Sequence, residues 1–476
     1  MNVNPITRLD YPDPDVIRVE DTYYMVSTTM HFMPGCEILQ SFDLVHWEHV
    51  TYVYETLDHT DAQQLKSGQN IYGQGMWAAS LRYHEGRFCI CFVANDTRKT
   101  YLYTSEKIDG PWKKQLIEGF YHDGSLLFDE DGRNYIVYGN DEIWITELNE
   151  DLTAPKKDGL HRLLVSDHKN PELGYEGSHI QKINGYYYIF LIHSLRDRWM
   201  RTEACFYSDS LEGEFTGGDV LCDDRGYCGQ GVAQGGIVDT PDGKWYAMLF
   251  QDSGAVGRIP ILLPVTWKDH FPFFGQNGHV PEEIEVHSTR PGYIYQPLVG
   301  SDDFCNGLLP HWQFNHDPDP RYYHLDALQG TYTITTREVC TELTQAVNTL
   351  TQRMSYPSCA AEVTVDASAM KEGDVAGLCA LQSCYAAVGI TKHHGKYEVL
   401  MLDKKEDGIL DMTEGTVVES HQMDFRLEAD FCNMKDEARC YYRVNKGDWL
   451  PIGTVHKLYF KLDHFTGCRF GLFCYA

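Results

Sequence analysis

Apolar and polar positions alternate in short runs along this chain, and the runs come in pairs joined by tight polar turns. Val16-Ile17-Arg18-Val19 turns at Glu20-Asp21 into Tyr23-Tyr24-Met25-Val26. Leu81-Arg82-Tyr83 turns at Glu85-Gly86 into Phe88-Cys89-Ile90-Cys91. Leu126-Leu127-Phe128 turns at Asp131-Gly132 into Tyr135-Ile136-Val137-Tyr138. His179-Ile180-Gln181 runs through Asn184-Gly185 into Tyr186-Tyr187-Tyr188-Ile189-Phe190, and Ile237-Val238-Asp239 through Asp242-Gly243 into Trp245-Tyr246-Ala247-Met248. A period of two bounded by Asn-Gly or Asp-Gly is the signature of a β-hairpin. The turns recur roughly every 45 to 65 residues, room for a four-stranded unit that cannot bury its own apolar face alone. The pattern predicts a five-bladed β-propeller over residues 1–298.

Counting back eight residues from the first turn residue of each later repeat reaches Trp77, Asp123, Glu176 and Gln234; in the first repeat a step of seven reaches Asp13. Equivalent positions in stacked repeats lie at one height around one axis. Three carboxylates, a Trp and a Gln are therefore expected to ring one end of the central channel. Carboxylates converging in a cleft repel one another, and burial adds to the effect, so their pKa values separate into acid and base. Asp13 lies between Pro12 and Pro14, which restrict the backbone around it. Tyr121-His122-Asp123-Gly124-Ser125 and Tyr175-Glu176-Gly177-Ser178-His179 are two similar carboxylate-Gly-Ser turns. Met30-His31-Phe32-Met33-Pro34-Gly35 brings aromatic side chains close to a turn, and Gly257-Arg258-Ile259 places a lone Arg in an apolar segment. His31, Phe32 and Arg258 read either as pocket residues or as packing and ion-pair residues. After Pro297 alternating strands continue to the last residue, and their total length suits a β-sandwich over 299–476. The fold class is all-β.

Charge narrows the partners. The formal net charge is -29, which argues against a nucleic-acid partner and suits a neutral ligand. Apolar runs fall far short of the ~20 residues that cross a membrane, and Met1 to Thr7 lacks the basic and apolar regions of a signal peptide. The 15 Cys form no C-x-x-C pair and read as reduced thiols of a cytoplasmic protein. No metal site follows from ligand spacing.

These motifs resemble glycoside hydrolase family 43, in its two-domain β-xylosidase and α-L-arabinofuranosidase form. The resemblance rests on Pro12-Asp13-Pro14, Ser27 to Phe32 with Pro34-Gly35, Trp77-Ala78, Asp123-Gly124-Ser125-Leu126 and Glu176-Gly177-Ser178-His179. It extends to His311-Trp312-Gln313-Phe314-Asn315 and Asn348 to Arg353 in the second domain. It implies an inverting exo-glycosidase acting on oligosaccharides. Asp13 would be the general base, Glu176 the general acid, and Asp123 the carboxylate that orients the acid and raises its pKa. In such enzymes the two working carboxyls stand ~6.5–9.5 Å apart to admit a water. The resemblance also implies that Arg258 contacts the sugar, that Trp77 and Phe32 are pocket aromatics, and that a sandwich loop closes the pocket; His31 and Gln234 are further candidates for substrate binding from their positions in the chain. Relatives often hold calcium near a channel His; the ring position here is Gln234, whose oxygen can ligate calcium, so Ca2+ stays open while no cofactor is required. An arabinan- or fructoside-acting hydrolase and a non-catalytic carbohydrate-binding propeller are the alternatives. Xyloside and arabinofuranoside are not distinguished, nor is the oligomeric state.

Overall fold

The structure, a computed structural model, describes residues 2–413 and 415–476. Its first part is a succession of five antiparallel sheets. Asp15–Val19, Thr22–Val26, Gly35–Ser41 and Glu48–Tyr54 form the first. Met76–His84 to Lys113–Ile117 form the second, Ser125–Phe128 to His161–Ser166 the third, and Glu176–Ile183 to Thr216–Leu221 the fourth. In the fifth, Val232–Ala233 and Ile237–Asp239 both pair with Trp245–Asp252, followed by Arg258–Lys268 and Phe271–Phe274.

Turn chemistry sets these registers. Asn184 and Gly185 both have positive φ, 51° and 84°, and so do Glu85 and Gly86; that backbone matches the right-handed strand twist of a two-residue hairpin. At Asp131-Gly132 and Asp242-Gly243 the connection is longer, closed by Gly132 N–H to Asp129 O at 3.0 Å and Gly243 N–H to Thr240 O at 2.9 Å. The apolar faces so exposed are buried between neighbouring sheets. Ile38, Leu81, Phe92 and Tyr101 interlock the first and second; Tyr135, Ile145, Ile189 and Leu191 interlock the third and fourth. The first sheet also meets the last. Arg18 Nε donates to Asp239 O at 3.0 Å, and Asn2–Val3 pairs with Glu283–Ile284 beyond the fifth sheet.

The C-terminal part is two sheets packed face to face. Leu378, Val388, Ile390 and Met401 of one meet Phe425, Leu427 and Ala429 of the other. The strand Gln422–Asp430 alternates buried and more exposed positions, as expected where one face is covered. The larger sheet continues across the boundary: Phe32–Met33 of the N-terminal part pairs with Gln313–Asn315. Buried ions reinforce that seam. Arg353 Nη1 is 2.7 Å from Glu37 Oε2, and the Arg353 guanidinium lies 4.1 Å from the Tyr11 ring centroid. Asp10 accepts from the backbone N–H of Arg258 and of Gly467, each at 2.8 Å. Buried pairs of this kind add little net stability but penalise misdocking, because a shifted seam would leave charges unpaired.

Candidate active site

The five ring positions share a local backbone departure from regular strand. Asp13, Asp123 and Gln234 have φ of 53°, 49° and 59°, a region uncommon for non-glycine residues and found where surroundings over-determine it. At the other two, strand register slips between Met76 and Ala79 and between Glu176 and His179. Such bulges re-aim side chains at the end of a strand.

Asp13 is buried and fully engaged. Arg258 Nη1 donates to Oδ1 at 2.6 Å, and Thr28 Oγ1 donates to Oδ2. Arg258 faces Asp252 across the end of its hairpin. Asp252 divides its oxygens between Arg258 Nε at 3.2 Å and Arg201 Nε at 3.0 Å. Two buried guanidinium groups thus stand behind the pocket.

Asp123 and Glu176 come together on the neighbouring sheets. Gly177 N–H donates to Asp123 Oδ2 at 3.0 Å. Gly177 has φ of 65°, and a Cβ there would come within 2.7 Å of the Gln234 side chain, so only glycine permits this contact. Asn140 Nδ2 donates to Glu176 Oε2 at 2.6 Å. His122 Nε2 lies 3.5 Å from both Asp123 Oδ2 and Glu176 Oε2.

These charges separate the proton affinities. Burial lifts Asp123 to about 6; His122 pulls against it, and Glu176 and Asp13 add to it. Burial alone would depress His122, but Asp123 and Glu176, with Asp13 behind them, carry it up to about 9. Burial would raise Glu176 as well, yet His122, then Arg201 and Arg258, hold it below the usual carboxylate range. The upward push on Glu176 expected from Asp123 is therefore outweighed by His122, 3.5 Å from Glu176 Oε2, and the two arginines.

The pocket wall crosses the boundary. Phe465, from the segment leading into the last strand, Arg469–Tyr475, has its ring centroid 5.1 Å from that of Trp77, at a steep angle. It also lies 3.7 Å from the Arg258 guanidinium carbon. Trp77 Nε1 is buried without a partner. Gln234 is buried, its backbone N–H held by Glu203 Oε2 at 2.7 Å. His31 is buried and packed in the seam. Its ring is enclosed by Phe32, Tyr72, His316 and His464, and Nε2 is 3.1 Å from Asn315 Oδ1. One face of Phe32 is covered by the Arg469 guanidinium at 3.4 Å.

The narrow part of the channel, lined by Ser80, Asp123, Gly177, Ser178, His179 and Gln234 among others, encloses about 10 Å³. That is room for about one water. Calcium takes six to eight oxygens; the one carboxylate on this lining is Asp123, already tied to Gly177 and facing His122, so these residues do not form a calcium cage. Among the described residues one cluster of His and carboxylate ligand atoms lies within 4.8 Å: His122, Asp123 and Glu176. It is the carboxylate centre itself.

Sequence reasoning missed His122, Asn140, Arg201, Asp252 and Phe465. His122 alone carried a signal, its adjacency to Asp123; the others reach the pocket only through folding.

Three buried or half-buried carboxylates backed by buried guanidinium groups and flanked by aromatic rings are an arrangement suited to hydrolysis of glycosidic bonds. The chain belongs to glycosyl hydrolases family 43, whose profile matches residues 3–272. Residues 301–476 match the β-xylosidase C-terminal concanavalin A-like domain. The chain is similar to a β-xylosidase of Formosa agariphila, 26% identical over 99% of this chain and 87% of the relative. It is 24% identical to a non-reducing end α-L-arabinofuranosidase of Bacteroides ovatus, over 86% of this chain and 79% of the relative. Among solved structures, a bifunctional GH43-CE protein of Bacteroides eggerthii superposes with a TM-score of 0.92 at 42% identity. It covers all of this chain, which spans 61% of that longer one.

Proposed function

We propose that the protein is an inverting exo-glycosidase that releases terminal β-D-xylosyl or α-L-arabinofuranosyl residues from hemicellulose-derived oligosaccharides. Its five sheets are the blades of a propeller over residues 1–298, and residues 299–476 are the sandwich. The observation that carries this reading is the pairing of Asp13, fixed by Arg258 and Thr28, with Glu176, set beside Asp123 on other sheets. Asp13 takes a proton from the attacking water while Glu176 protonates the leaving oxygen. Asp123 fixes the Glu176 segment through the Gly177 N–H. Phe465 and Trp77 wall the sugar site, which favours a chain end. The names of the relatives support the pentose class. The 15 free cysteines support a reducing, cytoplasmic setting.

The test is the configuration of the sugar first released from xyloside and arabinofuranoside substrates, followed by proton NMR before mutarotation. Inversion is expected. Release with retention would make Asp13 a nucleophile and overturn the reading.

A further inference from the structure

The string His311-Trp312-Gln313-Phe314-Asn315 has no part in the reaction set out above. Two of its members serve the seam: Gln313 Nε2 donates to Pro34 O at 2.6 Å, and Asn315 Oδ1 is 3.1 Å from His31 Nε2. Trp312 is turned to other partners. Its indole N–H donates to Asp302 Oδ2 at 2.8 Å, and its ring lies against Phe304, with centroids 5.9 Å apart and planes 29° from parallel. Asp302 also accepts from the backbone N–H groups of Phe304 and Leu309. The two half-buried rings are therefore held in place. They line a cleft of about 510 Å³, within the ~300–1,000 Å³ of small-ligand sites.

The facing wall is an open sheet edge. The smaller sheet of the sandwich ends at Ser358–Asp366, which packs over Val375–Leu381 of the larger one. The larger sheet runs on past that edge through Arg469–Tyr475 and Leu350–Arg353, and Leu378, Phe470 and Leu472 floor the cleft. Inward side chains of Ser358–Asp366 are half-buried, whereas those of its neighbour Gln422–Asp430 are buried. Five consecutive residues, Cys359 to Val363, line the cleft. Side chains along a strand alternate between faces, so it is the backbone edge that borders the space. Among the described residues that strand pairs on one side only, with Gln422–Asp430. Its free edge therefore offers N–H and C=O groups in a row. The charged lining residues, Asp302, Glu362, Arg353 and Arg426, are two of each sign in a chain of net charge -29. Arg426 is paired with Glu362 and Arg353 with Glu37.

We infer that this cleft is a second carbohydrate site, which holds a neutral, pentose-containing chain apart from the carboxylate centre. The choice of pentose rests on the function proposed above. The fixed Trp312 and Phe304 rings supply an apolar surface for sugar ring faces. The free edge of Ser358–Asp366 supplies alternating donors and acceptors for hydroxyl groups, which both give and accept hydrogen bonds. A lining without net charge, its ions already paired, selects a neutral ligand over an acidic one. An extended peptide is the other ligand that pairs with a strand edge; the aromatic wall and the likeness to the substrate of the neighbouring unit favour the sugar. The site takes no part in bond cleavage. It tethers a long chain and so raises the effective concentration of chain ends at the catalytic pocket.

The test follows hydrogen exchange by mass spectrometry in the full-length protein, with and without xylohexaose; Asp13→Ala spares the ligand. Slower exchange is expected in Ser358–Asp366 and in the segment around Trp312. Unchanged exchange in both overturns the inference, and so does protection by an extended valine–threonine peptide but not by the sugar. Kinetics give a second readout. Trp312→Ala should lower kcat/KM on soluble arabinoxylan by at least about fivefold through loss of the tether, all of it in KM, and leave an aryl pentoside unaffected. Ala361→Phe fills the cleft while keeping Trp312 and should act in the same way, so a poorly folded Trp312→Ala does not decide the matter. Equal kinetics of Ala361→Phe and the parent on both substrates overturn the inference. If the parent releases no pentose from either substrate, the proposed function fails, and the exchange result still reports on the cleft. If pentose is released and neither segment is protected, only the second site fails.

Discussion

The Phe465 ring of the C-terminal sandwich lies 3.7 Å from the Arg258 guanidinium carbon, and that guanidinium donates to Asp13. A residue of the second unit thus braces the group that holds the proposed base of the first. The two are also joined through Asp10, which links the Arg258 and Gly467 backbone N–H groups. The geometry around Asp13 and Arg258 depends on the docked seam.

Phe465→Ala should lower kcat/KM on short oligosaccharides by about tenfold, in line with the ~0.5–2 kcal/mol of a cation–π contact, with most of the loss in KM because the wall against Trp77 is gone. Phe465→Tyr should recover most of it. Steady-state kinetics of the two variants check this; equal activity in Phe465→Ala would remove the residue from the pocket wall.

Asp13→Ala should abolish turnover on activated and unactivated substrates alike, by at least the ~10²–10⁴-fold typical of general-base catalysis. Arg258→Met should cost a comparable factor by releasing Asp13. Both proteins should still bind sugar, as calorimetry would show. Substantial turnover by Asp13→Ala would remove it from the chemistry.

Glu176→Gln should cripple substrates whose leaving oxygen needs a proton and largely spare activated aryl glycosides. A series of aryl pentosides of graded leaving-group acidity reads this out as a steeper dependence in the variant. Parallel lines for variant and parent would contradict the assignment.

Acid should weaken the seam. Burial depresses His316 and His464 to about 3, and His31 well below its ordinary value. The unfolded chain takes up these protons near 6.5 and the folded chain does not. Stability from the cluster is thus complete above pH 6.5 and falls as pH drops toward 3, by about 2 kcal/mol per histidine at pH 5. Asp10 and Asp123, both lifted to about 6, bind protons more readily when folded and oppose this trend. The measurement is therefore a difference: the acid-side loss of melting temperature should be smaller in His464→Phe than in the parent. Identical pH curves would show that the cluster does not titrate in this way.

Much of this architecture was legible because hairpin signals are local. Asn184-Gly185 fixes its turn from two adjacent residues, and the register that follows puts Ile180 opposite Ile189. Repetition then carried the reading from one hairpin to five, and the positions of Asp13, Asp123 and Glu176 followed from counting along each strand. His31 shows where that method stops. It stands beside a turn like a pocket residue, but its partners Asn315, His316 and His464 lie hundreds of positions away.

By itself, the sequence determined the strand periodicity and the places of the hairpin turns, since each depends on residues within about ten positions of one another. Only the tertiary structure decided which charges face Asp13, Asp123 and Glu176. His122 is next to Asp123 in the chain, yet its effect on Glu176 arises because two sheets meet there. Phe465 reaches Arg258 only after the sandwich has docked, through the Gly467 N–H held by Asp10. Electrostatic and aromatic contacts act over a few ångströms in space, whatever the separation along the chain, so proton affinities and the pocket wall are properties of the assembled fold.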